Sequence, residues 1–205
     1  MLDVGCGTGT LAAWLTARAE AQVWGVDPSA EMLTVARAKL PPGIPLEQGR
    51  AEELPFEDGW FERVVLTLVV HHLDRPRAFA EFRRVLCGGG RLVFATFAPE
   101  QFDRYYLGAF FPTITAIDRE RFGTLAQLTA ELDAAGFGVV GAERLDQQTE
   151  LSRERVLARV RGRNISTFQL ISDDEYAAGL ERIERDLPPL VRSYQHWLVV
   201  SANSP

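Results

Sequence analysis

Short apolar runs alternate with segments of helical periodicity along the first half of the chain. Five of these runs predict strands: residues 1–4, 23–26, 44–48, 63–70 and 92–97. Between the runs, apolar residues recur at helical spacing, as Leu11, Trp14 and Leu15 do after the first one. Because parallel strands that are joined by helices connect through right-handed crossovers, the pattern predicts a parallel sheet with helices on both faces.

Two of the predicted helices have clear end signals. Ser29 is the predicted N-cap of a helix over residues 31–40, and the Pro-Pro-Gly segment at 41–43 ends that helix. Asp74 is the predicted N-cap of the next helix, which has a proline in its first turn. We expect the three glycines at 88–90 to end this helix before the fifth strand.

The pattern changes after Gly136. Residues 137–140 and 197–200 are two further predicted strands. Between them, the Ser-Asp-Asp-Glu segment at 172–175 forms a capping box that opens an amphipathic helix. The apolar face of that helix carries Tyr176, Leu180, Ile183 and Leu187. The sequence therefore predicts seven strands, with a helical insert before the last one.

Length and charge limit the class of protein. The chain has 205 residues, of which 46% are hydrophobic, and this is enough for a single domain over residues 1–205. The formal net charge is -6 at pH 7, and no dense Lys/Arg run is present, so a nucleic-acid partner is not expected. The most basic stretch, residues 153–163, is interpreted as a helix surface; the alternative is an anion-binding patch.

Cysteine content and hydropathy indicate a cytoplasmic setting. No apolar run approaches the ~20 residues that span a bilayer, and no basic segment followed by an apolar run marks a secretory signal. Cys6 and Cys87 lie far apart and form no metal-ligand cluster, so no metal is expected. The chain begins directly within a predicted strand, so either its start is late or it manages without a preceding helix.

Three glycines follow the first predicted strand, at Gly5, Gly7 and Gly9. Glycine lets the backbone approach a ligand, and in a doubly wound sheet this turn lies at the edge where ligands bind. The spacing is G-x-G-x-G, whereas a dinucleotide loop has G-x-G-x-x-G. Asp3 would repel a pyrophosphate but would favour a ligand with an ammonium and a sulfonium group. No G-K-[ST] segment is present, which excludes a P-loop; a turn that binds nothing is the alternative.

Asp27 ends the second predicted strand, in the segment Val26-Asp27-Pro28. A carboxylate at this position can accept hydrogen bonds from both hydroxyls of a ribose. The alternative is that Asp27 serves only as a turn residue or a helix cap. The glycine loop 18 residues earlier favours the ribose role.

The glycine loop and Asp27 together resemble the corresponding segments of the class I S-adenosylmethionine-dependent methyltransferases. The similarity continues in order through QGRAEELPF at 48–56, DGWFERVV at 58–65, HHL at 71–73 and RVLCGGGRL at 84–92. It covers about residues 1–97 and is specific as a set. Within the family, the segments are most similar to the group that contains the ubiquinone and menaquinone C-methyltransferases.

This resemblance implies a Rossmann-like seven-stranded sheet of order 3-2-1-4-5-7-6 with the seventh strand antiparallel. It also implies S-adenosylmethionine as the cofactor and S-adenosylhomocysteine as the product. The residues that it implies around the methionine part are Asp3, Gly5, Cys6, Gly7 and Gly9. Those that it implies around the ribose and adenine are Asp27, Pro28, Met32, Ala51 and Glu52. Those that it implies near the reacting methyl group are Thr67, Leu68 and His72.

Arg50 departs from the family pattern, which usually has an aspartate before the alanine that is Ala51 here. Aspartate can accept a hydrogen bond from the adenine amino group, whereas arginine has only donors. Adenine recognition would then depend on backbone groups, on stacking of the Arg50 side chain, or on water.

Methyl transfer needs alignment of the nucleophile, the methyl carbon and the leaving sulfur, and a general base only where the acceptor must lose a proton. His71 and His72 are the candidates for such a base, and His72 is preferred because the family pattern places it nearer the cofactor. The alternative is that both histidines pack locally or line the pocket. His196, in the presumed last strand, is interpreted as structural.

The acceptor pocket is expected outside the shared core. Two inserts, about residues 98–120 and 150–190, are predicted to cover the substrate. The first contains an aromatic cluster, Phe102, Tyr105, Tyr106, Phe110 and Phe111. Aromatic walls suit an apolar or aromatic small molecule, although these side chains would also serve to pack the insert.

The leading hypothesis is therefore a methyltransferase that acts on a small molecule at carbon, oxygen or nitrogen. One alternative is a regulatory or scaffold protein that binds S-adenosylmethionine without turnover. Another is a nicotinamide-dependent oxidoreductase, which the loop spacing and Asp3 disfavour. The sequence names neither the acceptor nor the oligomeric state.

Overall fold

Seven strands form one sheet in the order 3-2-1-4-5-7-6, in a computed structural model that describes residues 1–19 and 21–205. The strands are β1 (Leu2–Val4), β2 (Trp24–Asp27), β3 (Leu46–Gln48), β4 (Phe61–Thr67), β5 (Leu86–Phe97), β6 (Gly138–Ser152) and β7 (Leu190–Asn203). The first five pair in parallel. β7 runs antiparallel to β5, as shown by the backbone hydrogen bonds that join Gly90 to Ser204 and Ala98 to His196. The predicted fold class and strand order are confirmed.

The described residues contain α-helices of nine to fourteen residues. They are α1 (Thr10–Arg18), α2 (Ala30–Lys39), α3 (Arg75–Val85), α4 (Ile114–Phe122), α5 (Leu125–Ala134), α6 (Arg153–Arg161) and α7 (Asp173–Asp186). The predicted caps are present: Ser29 Oγ accepts the Met32 N–H, and Ser172 Oγ accepts the Glu175 N–H, both at 3.1 Å. The sequence pattern did not predict α4 and α5.

Several predicted boundaries were wrong. The glycines at 88–90 lie inside β5, and α3 ends at Val85. The segment that contains them interrupts the regular pairing of β5 with β4, because Gly89 has a positive φ of 74°, although its N–H still donates to the Ser204 carbonyl at 3.2 Å. β4 ends at Thr67, because Leu68 has a positive φ of 57° that turns the chain out of the sheet. Strands β6 and β7 are much longer than the two short runs that predicted them.

The chain divides into two compact units. The first unit consists of Met1–Thr96, Leu125–Glu143 and Leu198–Pro205, and the second consists of Phe97–Thr124 and Arg144–Trp197. Within the described residues, no helix combines the length and apolar character that crossing a membrane requires. The same residues contain no group of three or more His, Cys, Asp or Glu side chains that could hold a metal ion.

The second unit has a hydrophobic core of its own. Its centre includes Leu107, Phe111, Ile114, Val156, Val160, Phe168, Tyr176 and Ile183. Phe111 packs edge-on against Phe168, with ring centroids 4.9 Å apart, and Phe102 is buried beside Phe122 at 5.0 Å. These two members of the predicted aromatic cluster therefore pack the second unit from within.

Candidate cofactor site

A cleft of about 590 Å³ opens at the carboxyl ends of β1, β2 and β4, within the first unit. Eleven of the residues that the sequence analysis singled out line it: Gly5, Gly7, Asp27, Pro28, Met32, Arg50, Ala51, Glu52, Thr67, Leu68 and His72. Four residues that it did not assign to the site also line the cleft: Val4, Gly49, Val69 and Leu73. Three predicted residues, Asp3, Cys6 and Gly9, are not among the lining residues. The cleft has the volume of a small-molecule site.

The Asp27 carboxylate joins the glycine loop to the start of α2. Its Oδ2 accepts the Gly7 N–H at 2.8 Å, and its Oδ1 accepts the Ser29 N–H at 2.9 Å. The residue is 8% exposed and faces the cleft. A carboxylate oxygen has two lone pairs, so each of these oxygens can accept a second hydrogen bond from a ligand.

Gly5 and Gly7 have different reasons to be glycine. Both adopt the left-handed conformation, with φ of 69° and 53°. A Cβ atom on Gly5 would lie 2.4 Å from Val69 Cγ2, so the neighbouring side chain already fills that space. A Cβ on Gly7 would meet nothing within 4 Å. Because Gly7 lines the cleft, its bare backbone leaves room there for a ligand.

Asp3 is buried next to the cleft. It is 2% exposed, and its Oδ2 has no hydrogen-bond partner among the described residues. Burial, with a smaller contribution from Asp27, raises its pKa to about 7, although the Ala12 N–H partly offsets the shift. Burial and the same two carboxylates raise the pKa of the Cys6 thiol to about 12, so this cysteine is not a nucleophile.

Arg50 lines the cleft with a largely exposed side chain that lies beside Glu52. Its side chain is 72% exposed, and its Nε lies 3.4 Å from Glu52 Oε2. The Glu52 side chain is 8% exposed, and its other oxygen accepts the Asp74 N–H at 3.1 Å. Glu52 therefore ties the segment after β3 to the N-cap of α3 and partly neutralises the charge of Arg50.

The segment after β4 brings a histidine to the cleft. Leu68 is held in its left-handed conformation while its N–H donates to the Ala95 carbonyl at 2.8 Å. A short turn over Val70–His72 follows, in which the His72 N–H donates to the Val69 carbonyl at 2.8 Å. The His72 ring is exposed at the cleft and lies 4.0 Å from the His71 ring, measured between centroids.

The four residues that the sequence analysis missed gave weak sequence signals. Val4 was assigned only to the buried strand, and Val69 was placed inside β4, where a valine needs no further explanation. Gly49 lies in a quoted motif, and a Cβ there would meet Pro55 Cδ at 2.9 Å. The glycine itself was a usable sequence signal, because glycine is favoured where another group approaches the backbone closely.

Residues 2–94 match the family described as Methyltransferase domain. This span contains every residue that lines the cleft and all the motifs on which the resemblance was based. The chain has a class I methyltransferase fold. The predicted similarity to this family is confirmed.

Curated methyltransferases are similar to part of this chain. An uncharacterized methyltransferase of Mycobacterium tuberculosis (strain ATCC 25618 / H37Rv) is 45% identical over 92 residues, which are 45% of this chain and 37% of the relative. The ubiquinone/menaquinone biosynthesis C-methyltransferase UbiE of Bordetella avium (strain 197N) is 39% identical over 104 residues, 48% of this chain and 41% of the relative. This chain therefore spans less than half the length of these curated relatives.

Solved structures with the methyltransferase fold cover the whole chain. The geranyl diphosphate C-methyltransferase from Streptomyces coelicolor A3(2), in complex with Mg²⁺, geranyl diphosphate and S-adenosyl-L-homocysteine, has a TM-score of 0.58 at 17% identity. The aligned part covers 100% of this chain and 70% of the C-methyltransferase chain. The [4+2]-cyclase SpnF has a TM-score of 0.65 at 21% identity and covers 100% of this chain and 74% of its own. Proteins with this fold thus carry out more than one kind of chemistry.

Proposed function

We propose that this chain binds S-adenosylmethionine in the cleft and transfers its methyl group to a small-molecule acceptor. The observation that supports this most directly is that the Gly5–Gly9 loop and the Asp27 carboxylate face the same cleft and are joined by a hydrogen bond. The family match and the methyltransferase relatives favour the same function.

The chemistry of the cleft fits an adenosyl sulfonium. The open space beyond Gly7 admits a ligand against bare backbone. Asp27 offers carboxylate oxygens to a pair of ribose hydroxyls, and Pro28 and Met32 offer apolar surface for a base. Asp27, together with Asp3 above its pKa of about 7, provides negative charge, which favours a cationic ligand and disfavours the pyrophosphate of a nicotinamide cofactor. The oxidoreductase alternative is therefore the weaker one.

The residues of the chain mainly have to align the reactants. The bound cofactor supplies a methyl group that its sulfonium already activates. The Gly5–Gly9 backbone and Asp27 would fix one end of it, while Thr67, Leu68 and His72 would border the side from which an acceptor approaches. Correct alignment of two bound reactants contributes several kcal/mol to such a reaction.

His72 is the proposed general base for acceptors that carry a proton. We expect His72→Ala to leave the affinity for S-adenosylhomocysteine nearly unchanged, because a base contacts the acceptor. We expect it to lower methyl transfer by about 100-fold or more, the usual contribution of a positioned base. Transfer from labelled S-adenosylmethionine to phenols, amines and activated carbon acids checks this, alongside calorimetry of cofactor binding.

The pH–rate profile provides the control for His72. At saturating S-adenosylmethionine, where the charge of Asp3 no longer limits binding, the fall in rate at acidic pH should disappear in His72→Ala and persist in His71→Ala. An equal loss of cofactor affinity and of rate would show that His72 only shapes the cleft. Tight cofactor binding with no transfer to any acceptor in the wild type would instead favour the regulatory or scaffold alternative.

The two predicted inserts, about residues 98–120 and 150–190, are proposed to select and cover the acceptor. They fall entirely within the second unit, which has a hydrophobic core of its own. Limited proteolysis with and without S-adenosylhomocysteine and an accepted substrate tests this. Protection of both segments by the ligands is expected, and identical cleavage would contradict the proposal.

A cytoplasmic location, in keeping with the free thiols of Cys6 and Cys87, belongs to the same proposal.

A further inference from the structure

Val69 fills the space that the first glycine of the loop leaves empty. Its Cγ2 and Cγ1 atoms would lie 2.4 Å and 2.9 Å from a Cβ on Gly5. Two carbon atoms in normal contact are about 3.5–4.0 Å apart, so neither distance can exist in a relaxed structure. The Val69 side chain is therefore in direct contact with the bare α-carbon of Gly5.

The unusual conformation of Leu68 brings Val69 to this position. A leucine with a positive φ is uncommon, because its side chain crowds the backbone there. The bond from the Leu68 N–H to the Ala95 carbonyl connects this bend to β5. The Val69 carbonyl then accepts the His72 N–H at 2.8 Å. Val69 thus contacts the glycine loop through its side chain and the turn that carries His72 through its backbone.

The glycine loop is held from the other side by hydrogen bonds. The Gly5 and Cys6 N–H groups donate to the Val26 carbonyl at 2.8 Å and 3.1 Å, and the Gly7 N–H donates to Asp27 at 2.8 Å. These partners belong to β2, whereas Val69 follows β4. The loop is therefore held by hydrogen bonds to β2 and by van der Waals contact with Val69.

We propose that Val69 is a positioning residue that holds the Gly5–Gly9 loop in the conformation that receives the cofactor. Its side chain acts through contact with Gly5. It thereby also fixes the position of the loop relative to the turn that carries His72. The identity of the ligand rests on the proposed function, but the effect of Val69 on the free loop does not.

A set of four variants tests this inference. Gly5→Ala and Gly7→Ala both place a methyl group on left-handed backbone, but only the Gly5 methyl meets Val69. In Val69→Ala the two clashing Cγ atoms are gone, and the remaining Cβ lies 3.3 Å from a Cβ at Gly5. We expect the Gly5→Ala/Val69→Ala double variant to bind S-adenosylhomocysteine about tenfold more tightly than Gly5→Ala alone, because residues in contact are not additive.

The matched control is Gly7→Ala/Val69→Ala. A methyl group on Gly7 meets no protein atom within 4 Å, so truncating Val69 should not restore the affinity of Gly7→Ala. The fold losses of affinity in the two single variants should therefore multiply in this double variant. Equal behaviour of the two double variants would overturn the proposal. So would a Gly5→Ala/Val69→Ala variant that binds no better than Gly5→Ala.

Hydrogen exchange in the cofactor-free protein separates positioning from general stability. In Val69→Ala the Gly7 and Gly9 amides should exchange about tenfold faster, while amides in β1 and β2 keep their protection. Val69→Ile, which keeps both Cγ atoms, should show the slow exchange of the wild type. Uniform acceleration throughout the first unit, or no change at the loop, would refute the positioning role. If even the wild type fails to bind S-adenosylhomocysteine, the proposed function fails, and the exchange result still decides the role of Val69.

Discussion

Replacing Asp27 with alanine should weaken the binding of S-adenosylhomocysteine by about 1–3 kcal/mol, which is roughly a 5- to 150-fold loss of affinity. Two effects act in the same direction. In the proposed complex the ribose hydroxyls lose a charged acceptor, and in the free protein the Gly7 and Ser29 N–H groups lose the carboxylate that joins them. Calorimetric titration of the wild type and Asp27→Ala measures the difference.

Asp27→Asn distinguishes charge and acceptor number from shape. Asparagine has one acceptor oxygen and one donor amide, so the amide would oppose either the Gly7 or the Ser29 N–H. We therefore expect Asp27→Asn to lose nearly as much affinity as Asp27→Ala. Asp58→Ala is the control, since Asp58 is an exposed aspartate that pairs with Arg84 and does not line the cleft. Wild-type affinity in Asp27→Asn would contradict our placement of the ribose.

Asp3→Asn should make the protein more stable at pH 8 and leave its stability unchanged below about pH 4. The folded chain holds the Asp3 proton more tightly than the unfolded chain, because the pKa rises from 3.8 to about 7. The neutral form of Asp3 thus stabilises the fold at low pH, and this contribution is lost as the pH rises from 3.8 through 7. A shift of this size corresponds to a penalty on the order of 4 kcal/mol above pH 7.

Urea unfolding of both proteins from pH 4 to pH 8 measures this difference. Asparagine can still accept the Ala12 N–H, which makes it the suitable neutral replacement. A stability difference that does not change with pH would contradict the assignment.

Cofactor affinity should move in the opposite direction: at pH 8, Asp3→Asn should bind S-adenosylmethionine less tightly, since it lacks a negative charge near a cation. A residue that destabilises the free protein but favours the ligand is one expected of a binding site.

The sequence predicted the start of a helix correctly where the signal lies within a few consecutive residues. The caps at Ser29, Asp74 and Ser172 are present as expected, because a cap depends on residues within one helical turn. The glycines at 88–90 misled the prediction, since a glycine run also fits an irregular part of a strand, where Gly89 takes a positive φ of 74°. The lengths of β6 and β7 likewise depend on pairing, which no local pattern encodes.

By itself, the sequence determined that a glycine loop and an acidic strand end occur in the order of a class I methyltransferase, because each signal lies within a few consecutive residues. The family resemblance, with the departure at Arg50, singled out eleven of the residues that line the cleft. Only the tertiary structure decided that Asp27 bonds to Gly7, that Asp3 is buried, and that Val69 packs on Gly5. These contacts join residues from different strands, and the conformation of Leu68 that allows the last of them is set by how β4 ends beside β5.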